Sequence, residues 1–320
     1  MEIIFLGTSS GTPTKTRNVS AIAIRKYQAK QWSLVDCGEG TQHQILHTNL
    51  SLKNLDAIYI THIHGDHCYG LPGLLASATM AGRVEPLTLV APHAVKLFLD
   101  TMQSYTELRL SFDIDFIATE EHLDTIQRKD FNVQTIALSH RVPSWGYLFE
   151  EQKVEVKLDT DKLLADNIPK GALWGALQKE KEVMLEDGKI IQSKMYHLPQ
   201  RKARRVVVSG DNDTPNIWAK IKGIDLLIHE ATYTEEIGKK VGKEVGHSTA
   251  KEVSIFAQNY GLKNLILTHF SPRYHDDTSK EGSIKEIEEE AKILYKGHLF
   301  LAHDFALYRL DKNTNYVEKA

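Results

Sequence analysis

Residues 59–67 read Tyr59-Ile60-Thr61-His62-Ile63-His64-Gly65-Asp66-His67, an apolar strand that ends abruptly in three histidines and an aspartate. Imidazole and carboxylate together suit borderline divalent metals such as zinc. The spacing predicts that Gly65 lets the chain turn sharply, so that His62 and His64 face one ion while Asp66 and His67 face another. A solvated polar loop would account for a lone histidine there, but not for this density. Other apolar runs also end in a candidate ligand: Thr135 to Ser139 leads to His140, Val206 to Gly210 to Asp211, Asp225 to Ile228 to His229-Glu230, and Leu265 to Thr268 to His269. Taken singly, each is more ordinarily a hydrogen-bonded strand end. Layered α/β proteins bind ligands beyond the carboxyl ends of their strands, so together these residues predict convergence on one metal site. Two ions about 3.5–4 Å apart need a bridging carboxylate, a role given to Asp211, whose two oxygens can serve one ion each. Asp36, which follows the strand Trp32 to Val35, is read as orienting a ligand histidine rather than binding metal.

Working outward, short runs rich in Ile, Val, Leu and aromatics predict strands at Ile3 to Leu6, Ser20 to Ile24, Trp32 to Val35, Ala57 to Ile60, Leu87 to Val90, Val133 to Leu138 and Tyr147 to Phe149. Helical spacing appears around Pro72 and, after residue 204, alternates regularly with strands: helices are expected near Ile217 to Ile221, from Ser248 and from Ser283. Val253, Phe256, Ala257 and Tyr260 form one helical face, Thr249 and Glu252 a capping box, and Gly261 a stop, which puts His247 at a helix N-terminus. The stretch from 150 to 200 is dense in charge and poor in long apolar runs, and reads as an arm inserted into one domain. The 320 residues carry 39 Lys and Arg against 42 Asp and Glu, so no global positive field draws the chain to nucleic acid or membrane. Any such binding must use local patches. Cys37 and Cys68 are too few for a disulfide scaffold and suit reduced thiols in a cytoplasmic setting. No signal peptide or membrane span is expected.

At these residues the chain closely resembles the ribonuclease Z family, endonucleases that trim the 3′ end of precursor tRNA, within the metallo-β-lactamase superfamily. The resemblance is carried by Phe5 to Thr14 with Arg17-Asn18, by Asp36-Cys37-Gly38-Glu39-Gly40-Thr41-Gln42, by His62 to His67 with Gly70 to Leu74, by His229-Glu230-Ala231-Thr232, by His247-Ser248-Thr249 and by Leu267 to Tyr274. It implies a four-layered αββα sandwich of the metallo-β-lactamase type, a single metallo-hydrolase domain over 1–320 whose arm at 150–200 serves as a tRNA-binding exosite. It implies two Zn2+ per subunit, one held by His62, His64, His140 and Asp211, the other by Asp66, His67, Asp211 and His269. Asp66 would be the general base, His247, positioned by Glu230, would protonate the departing 3′ oxygen, and Arg273 would pair with a phosphate. The products would be a 3′ hydroxyl on the tRNA and a 5′ phosphate on the trailer. A cytoplasmic homodimer is the expected form. Within the arm, Pro169-Lys170-Gly171 and Leu185-Glu186-Asp187-Gly188 match the family's exosite, but Gly171-Ala172 stands where the family commonly has Gly-Pro. From Glu150 to Ile190 there are ten acidic residues against seven basic ones, so the arm is not basic. Lys194, Arg201, Lys202, Arg204 and Arg205 form a nearby basic patch that reads equally as a surface able to meet phosphates or as a solvated charge run.

Overall fold

A computed structural model describes residues 1–121, 125–185 and 188–320. The chain divides into two compact units, 1–150 with 204–320, and 151–203. Among the described residues the larger unit is built on two sheets. One has eight strands, ordered across it as Val317–Lys319, Leu307–Leu310, Glu2–Gly7, Ala21–Arg25, Trp32–Val35, Leu55–Tyr59, Leu87–Ala91 and Ile114–Ala118. The other has seven, ordered His298–Leu301, Asn264–Thr268, Leu226–Glu230, Arg205–Val208, Ser144–Glu151, Phe131–Leu138 and Ile126–Gln127.

Many of these strands are apolar on both faces because both faces are covered. Phe5, Val35 and Tyr59 of the first sheet meet Tyr147, Phe149, Val206 and Ile228 of the second in one core. The intervening side chains point outward. Leu34 and Ile58 pack with Leu71, Leu74 and Leu75 of the helix Leu71–Met80 and with Leu99 of His93–Thr106. Val207, Leu227 and Leu265 pack with Val253 and Phe256 of Ala250–Tyr260 and with Ile287 and Ala291 of Ile284–Leu294. Helix, sheet, sheet and helix are thus four layers, as expected. In each sheet a run of neighbouring strands is parallel, Trp32–Val35 with Leu55–Tyr59 in the first and Arg205–Val208 with Leu226–Glu230 and Asn264–Thr268 in the second, so their carboxyl ends form a common rim.

Three local expectations change. The expected helix at 217–221 is a 3-10 turn, Pro215–Lys220. The strand expected to stop at Ile228 continues through Glu230, in register with Thr268. Gly65 has no unusual turn to make: it opens the short helix Gly65–Cys68, and a Cβ there would stand 2.2 Å from the Tyr69 ring. Cys37 and Cys68 are free and buried, and burial pushes the Cys68 thiol up to about 12. No helix among the described residues is long and apolar enough to cross a membrane.

The smaller unit has more order than its sequence suggested. Helices Thr160–Ala165 and Ala172–Gln178 and the strand pair Val183–Met184 and Ile190–Ile191 enclose a core of Leu163, Ile168, Leu177, Val183, Ile191 and Tyr196. These apolar residues are isolated in sequence and meet only on folding. Ala172 is the first residue of its helix, a position where proline is tolerated, so the Gly-Ala departure from the family leaves the helix start intact. Lys170 lies over the Trp174 ring at 5.6 Å. Glu186 and Asp187 of the exosite match lie outside the described residues. The basic patch is not a free cluster: Arg201 pairs with Glu151 at 2.7 Å, Arg205 with Glu150 at 3.0 Å, and Arg204 is buried with its guanidinium on the Leu310 carbonyl. Lys194 and Lys202 remain exposed.

Candidate metal centre

The rim of parallel strand ends brings the histidine turn to the other strand-end residues. His62, His64, His140 and Asp211 present ligand atoms within 4.8 Å of one another, and so do Asp66, His67 and His269. Asp211 stands between them. Its Oδ2 is 3.6 Å from His62 Nε2 and 3.9 Å from His140 Nε2, while its Oδ1 is 3.5 Å from His67 Nε2 and 3.4 Å from His269 Nε2. Asp66 Oδ2 lies 3.4 Å from His67 Nε2 and 3.3 Å from His269 Nε2. The backbone N–H of Gly11 also donates to Asp66 Oδ2, at 2.7 Å, tying the opening motif to the site.

The outer nitrogens of the imidazoles are held from behind, which assigns their tautomers. His67 Nδ1 donates to Asp36 Oδ2 at 2.7 Å, and His140 Nδ1 to the Gly246 carbonyl at 2.7 Å. Thr61 Oγ1 donates to Asp36 Oδ2 and therefore accepts from His62 Nδ1 at 3.0 Å. Thr232 Oγ1 donates to Glu230 Oε2 and accepts from His269 Nδ1 at 3.1 Å. The Nε2 atoms of these four rings consequently point inward, each a ligand atom once deprotonated, with His64 Nδ1 3.0 Å from His62 Nε2 and 3.3 Å from His140 Nε2. Inward ring nitrogens and carboxylate oxygens at this separation fit divalent cations of the zinc type. Asp36 and His269 both have positive φ, 60° and 57°, a conformation rare outside glycine that commonly marks functional positions.

Charge in the cluster is tightly coupled. Burial lowers the imidazoles of His62 and His64 below their ordinary range, with neighbouring imidazoles acting in the same direction. Burial opposes charge on His67 as well, but Asp66, Asp211 and Asp36 outweigh it and raise its imidazole well above the ordinary range. Asp211 is held well below the carboxylate range despite its burial, by His269, His67, His62 and His247.

His247 lies two residues before the helix cap Thr249, with Nδ1 3.0 Å from Glu230 Oε2. Burial alone would lower its imidazole, but Glu230 and Asp211 raise it to about 9. Glu230 is itself fixed by the N–H of Asn212 at 2.8 Å and by Thr232. Arg273 is exposed, its Nε donating to Ser271 Oγ at 3.1 Å and its guanidinium lying 5.3 Å from the Tyr233 ring centroid. His229 departs from expectation. Side chains alternate along a strand, so with Glu230 facing the site His229 faces away, its Nε2 3.1 Å from Asn212 Nδ2. Thr61, Thr232 and the Gly246 carbonyl, which set the tautomers, escaped the sequence reading; a hydroxyl residue next to His62, or two positions after Glu230, was the available signal.

Asp36→Asn tests the outer support, since asparagine tolerates the same positive φ. The expected result is a roughly 10–100-fold loss of metal affinity in chelator competition, with the fold retained by circular dichroism. Unchanged affinity would mean that Asp36 does not position His67.

Known proteins show the same arrangement of chain. The family model described as Anti-Pycsar protein Apyc1 matches residues 1–199. A ribonuclease Z of Marinobacter nauticus is 48% identical over 315 residues, covering 98% of this chain and 97% of that protein. A ribonuclease Z of Bacillus subtilis is 37% identical over 308 residues, covering 95% and 97%. The crystal structure of human tRNase Z, short form, superposes with a TM-score of 0.65 at 26% identity, covering 97% of this chain and 100% of that one. The metallo-β-lactamase fold protein YhfI from Bacillus subtilis gives the same TM-score at 16% identity, a likeness of fold alone.

Proposed function

The chain belongs to the ribonuclease Z family of metal-dependent phosphodiesterases with the metallo-β-lactamase fold, and from that membership we propose that it is a tRNA 3′-processing endoribonuclease. Its substrate is precursor tRNA, and its products are a tRNA with a 3′ hydroxyl and a trailer with a 5′ phosphate. The observation that carries the reading is Asp211, whose two oxygens face two separate sets of histidines.

His62, His64, His140 and Asp211 would hold one Zn2+, and Asp66, His67, Asp211 and His269 the other. When bound, such a pair supplies activation of water at neutral pH and neutralises charge on the phosphate. Asp66 takes the proton of the attacking water as general base. His247, through the nitrogen turned away from Glu230, gives its proton to the departing 3′ oxygen. Glu230 fixes the orientation of that ring and favours its protonated form, which offsets the helix N-terminus that would otherwise disfavour it. Arg273 contributes guanidinium N–H groups to a phosphate oxygen. The water oxygen ends on phosphorus, the bond from phosphorus to O3′ breaks, and the proton from His247 completes the tRNA hydroxyl.

The unit 151–203 is assigned to gripping the tRNA, and a homodimer acting in the cytoplasm is the working form; both follow the family resemblance. The decisive experiment incubates the purified protein with a 3′-extended tRNA, with zinc or manganese, and maps the product ends. Absence of product under every metal tested would defeat the assignment. Deleting residues 152–194 should separate tRNA processing from the simpler chemistry of the site. The expected result is a loss of about 10²-fold on precursor tRNA, equivalent to two charge-assisted contacts of about 1.5 kcal/mol each, with hydrolysis of a 4-nitrophenyl phosphodiester retained. Equal loss on both substrates, or on neither, counts against an exosite.

A further inference from the structure

Beside His247 lies a cavity of about 480 Å³ that the metal cluster leaves unused, lined by Ser139, Asp213, Tyr233, Lys239, Lys243 and His247 among others. Tyr233 is its aromatic wall. The ring is half-buried, with its centroid 6.2 Å from that of His247, and the Arg273 guanidinium lies 5.3 Å from its centroid. Its backbone is pinned on both sides: the carbonyl accepts from the N–H of Ala250 at 2.8 Å, and the next residue, Thr234, donates its N–H to the Tyr274 hydroxyl at 2.9 Å. Among the described residues the Tyr233 hydroxyl has no hydrogen-bond partner.

The direction of the reaction says what this cavity faces. If the bond from phosphorus to O3′ is the one that breaks, the proton from His247 goes to O3′. The ribose bearing that oxygen must then lie against His247, and its base lies within reach of the adjoining wall. That nucleoside is the last of the tRNA body. It is unpaired, so its base is free to leave the stacked helix, and single-stranded bases are commonly taken up on aromatic side chains. The cavity falls within the range of volumes used for small ligands.

We propose that this cavity receives the unpaired nucleoside whose 3′ oxygen departs, with its base stacked on Tyr233, and that Tyr233 thereby sets which phosphodiester is cut. The proposal rests on the reading of His247 as the acid for that oxygen. Because every base has a π face, a stacking wall tolerates any base but not the lack of one. Arg273, held on the same ring, couples placement of the base to placement of the phosphate.

Two measurements test it. In the first, a tRNA ending at this nucleotide carries 2-aminopurine there and a dye at its 5′ end, and is titrated with the full chain. Anisotropy reports binding, and 2-aminopurine fluorescence reports stacking. The expected result is quenching by the unaltered protein and by Tyr233→Phe, and none by Tyr233→Leu at matched occupancy. Binding without quenching, or equal quenching by the leucine variant, overturns the proposal alone. Absence of binding overturns both it and the tRNA-processing assignment. In the second, a precursor abasic at this position should be cut roughly 10–100-fold less efficiently by the unaltered protein, whereas Tyr233→Leu should cut intact and abasic precursors alike. A leucine variant that still distinguishes them overturns the proposal. Since the first measurement needs no cleavage, loss of stacking and loss of catalysis are told apart.

Discussion

Asp211→Ala should strip metal from both sets of histidines and reduce precursor cleavage by at least about 10³-fold, the equivalent of several kcal/mol of charge stabilisation. The reason is geometric. Asp211 Oδ2 faces His62 and His140, Oδ1 faces His67 and His269, and each separation lies between 3.4 and 3.9 Å. No other carboxylate among the described residues lies between both sets. Asp66 faces only His67 and His269, and Glu230 is engaged by Asn212, Thr232 and His247. Elemental analysis by mass spectrometry after gel filtration should find both positions depleted in Asp211→Ala, whereas His64→Ala should deplete chiefly the set that contains His140. Retention of full metal content and near-normal cleavage by Asp211→Ala would remove the bridge from the mechanism.

His247→Ala should leave metal content unchanged and lower cleavage of precursor tRNA by roughly 10²–10⁴-fold, the range expected for loss of a positioned general acid. An alkoxide such as a ribose 3′ oxygen leaves poorly unless it is protonated, while 4-nitrophenolate leaves without help. The same variant should therefore hydrolyse a 4-nitrophenyl phosphodiester at close to the normal rate. A comparable loss on both substrates would show that His247 serves the site in some way other than proton donation, for instance by packing against His140 and His269, whose ring centroids lie 5.2 and 5.5 Å away. The split between substrates is what identifies the acid.

Much of this site was legible in the chain before folding. The cluster His62 to His67 pointed to metal because ligand donors packed that densely serve little else. Asp36 could be placed behind a histidine because it follows the strand Trp32–Val35. Both expectations match the geometry, in which His67 Nδ1 donates to Asp36 and the histidine turn divides between two groups. The capping box at Thr249 and Glu252 was equally readable, because its hydrogen bonds close within four residues. Less legible were features that depend on distant partners. The basic run ending at Arg205 resembled a phosphate patch, yet Arg204 is buried and Arg201 and Arg205 are neutralised by Glu151 and Glu150. Gly65 invited a sharp turn, whereas it opens the short helix Gly65–Cys68.

The sequence by itself determined which donors this protein carries, which apolar runs of the larger unit are strands and where the capped helix after His247 begins, because side-chain chemistry, periodicity and capping are local properties. Only the tertiary structure decided which donors meet. His67 and His269 are separated by 202 positions and come to 3.3 Å through the pairing of whole strands, and the choice of Glu230 over His229 follows from the parity of one register. Tyr233 became the wall of a cavity for the same reason: a site is a place where carboxyl ends of parallel strands coincide, and strand alignment is fixed by burial of the entire sheet rather than by any residue at its rim.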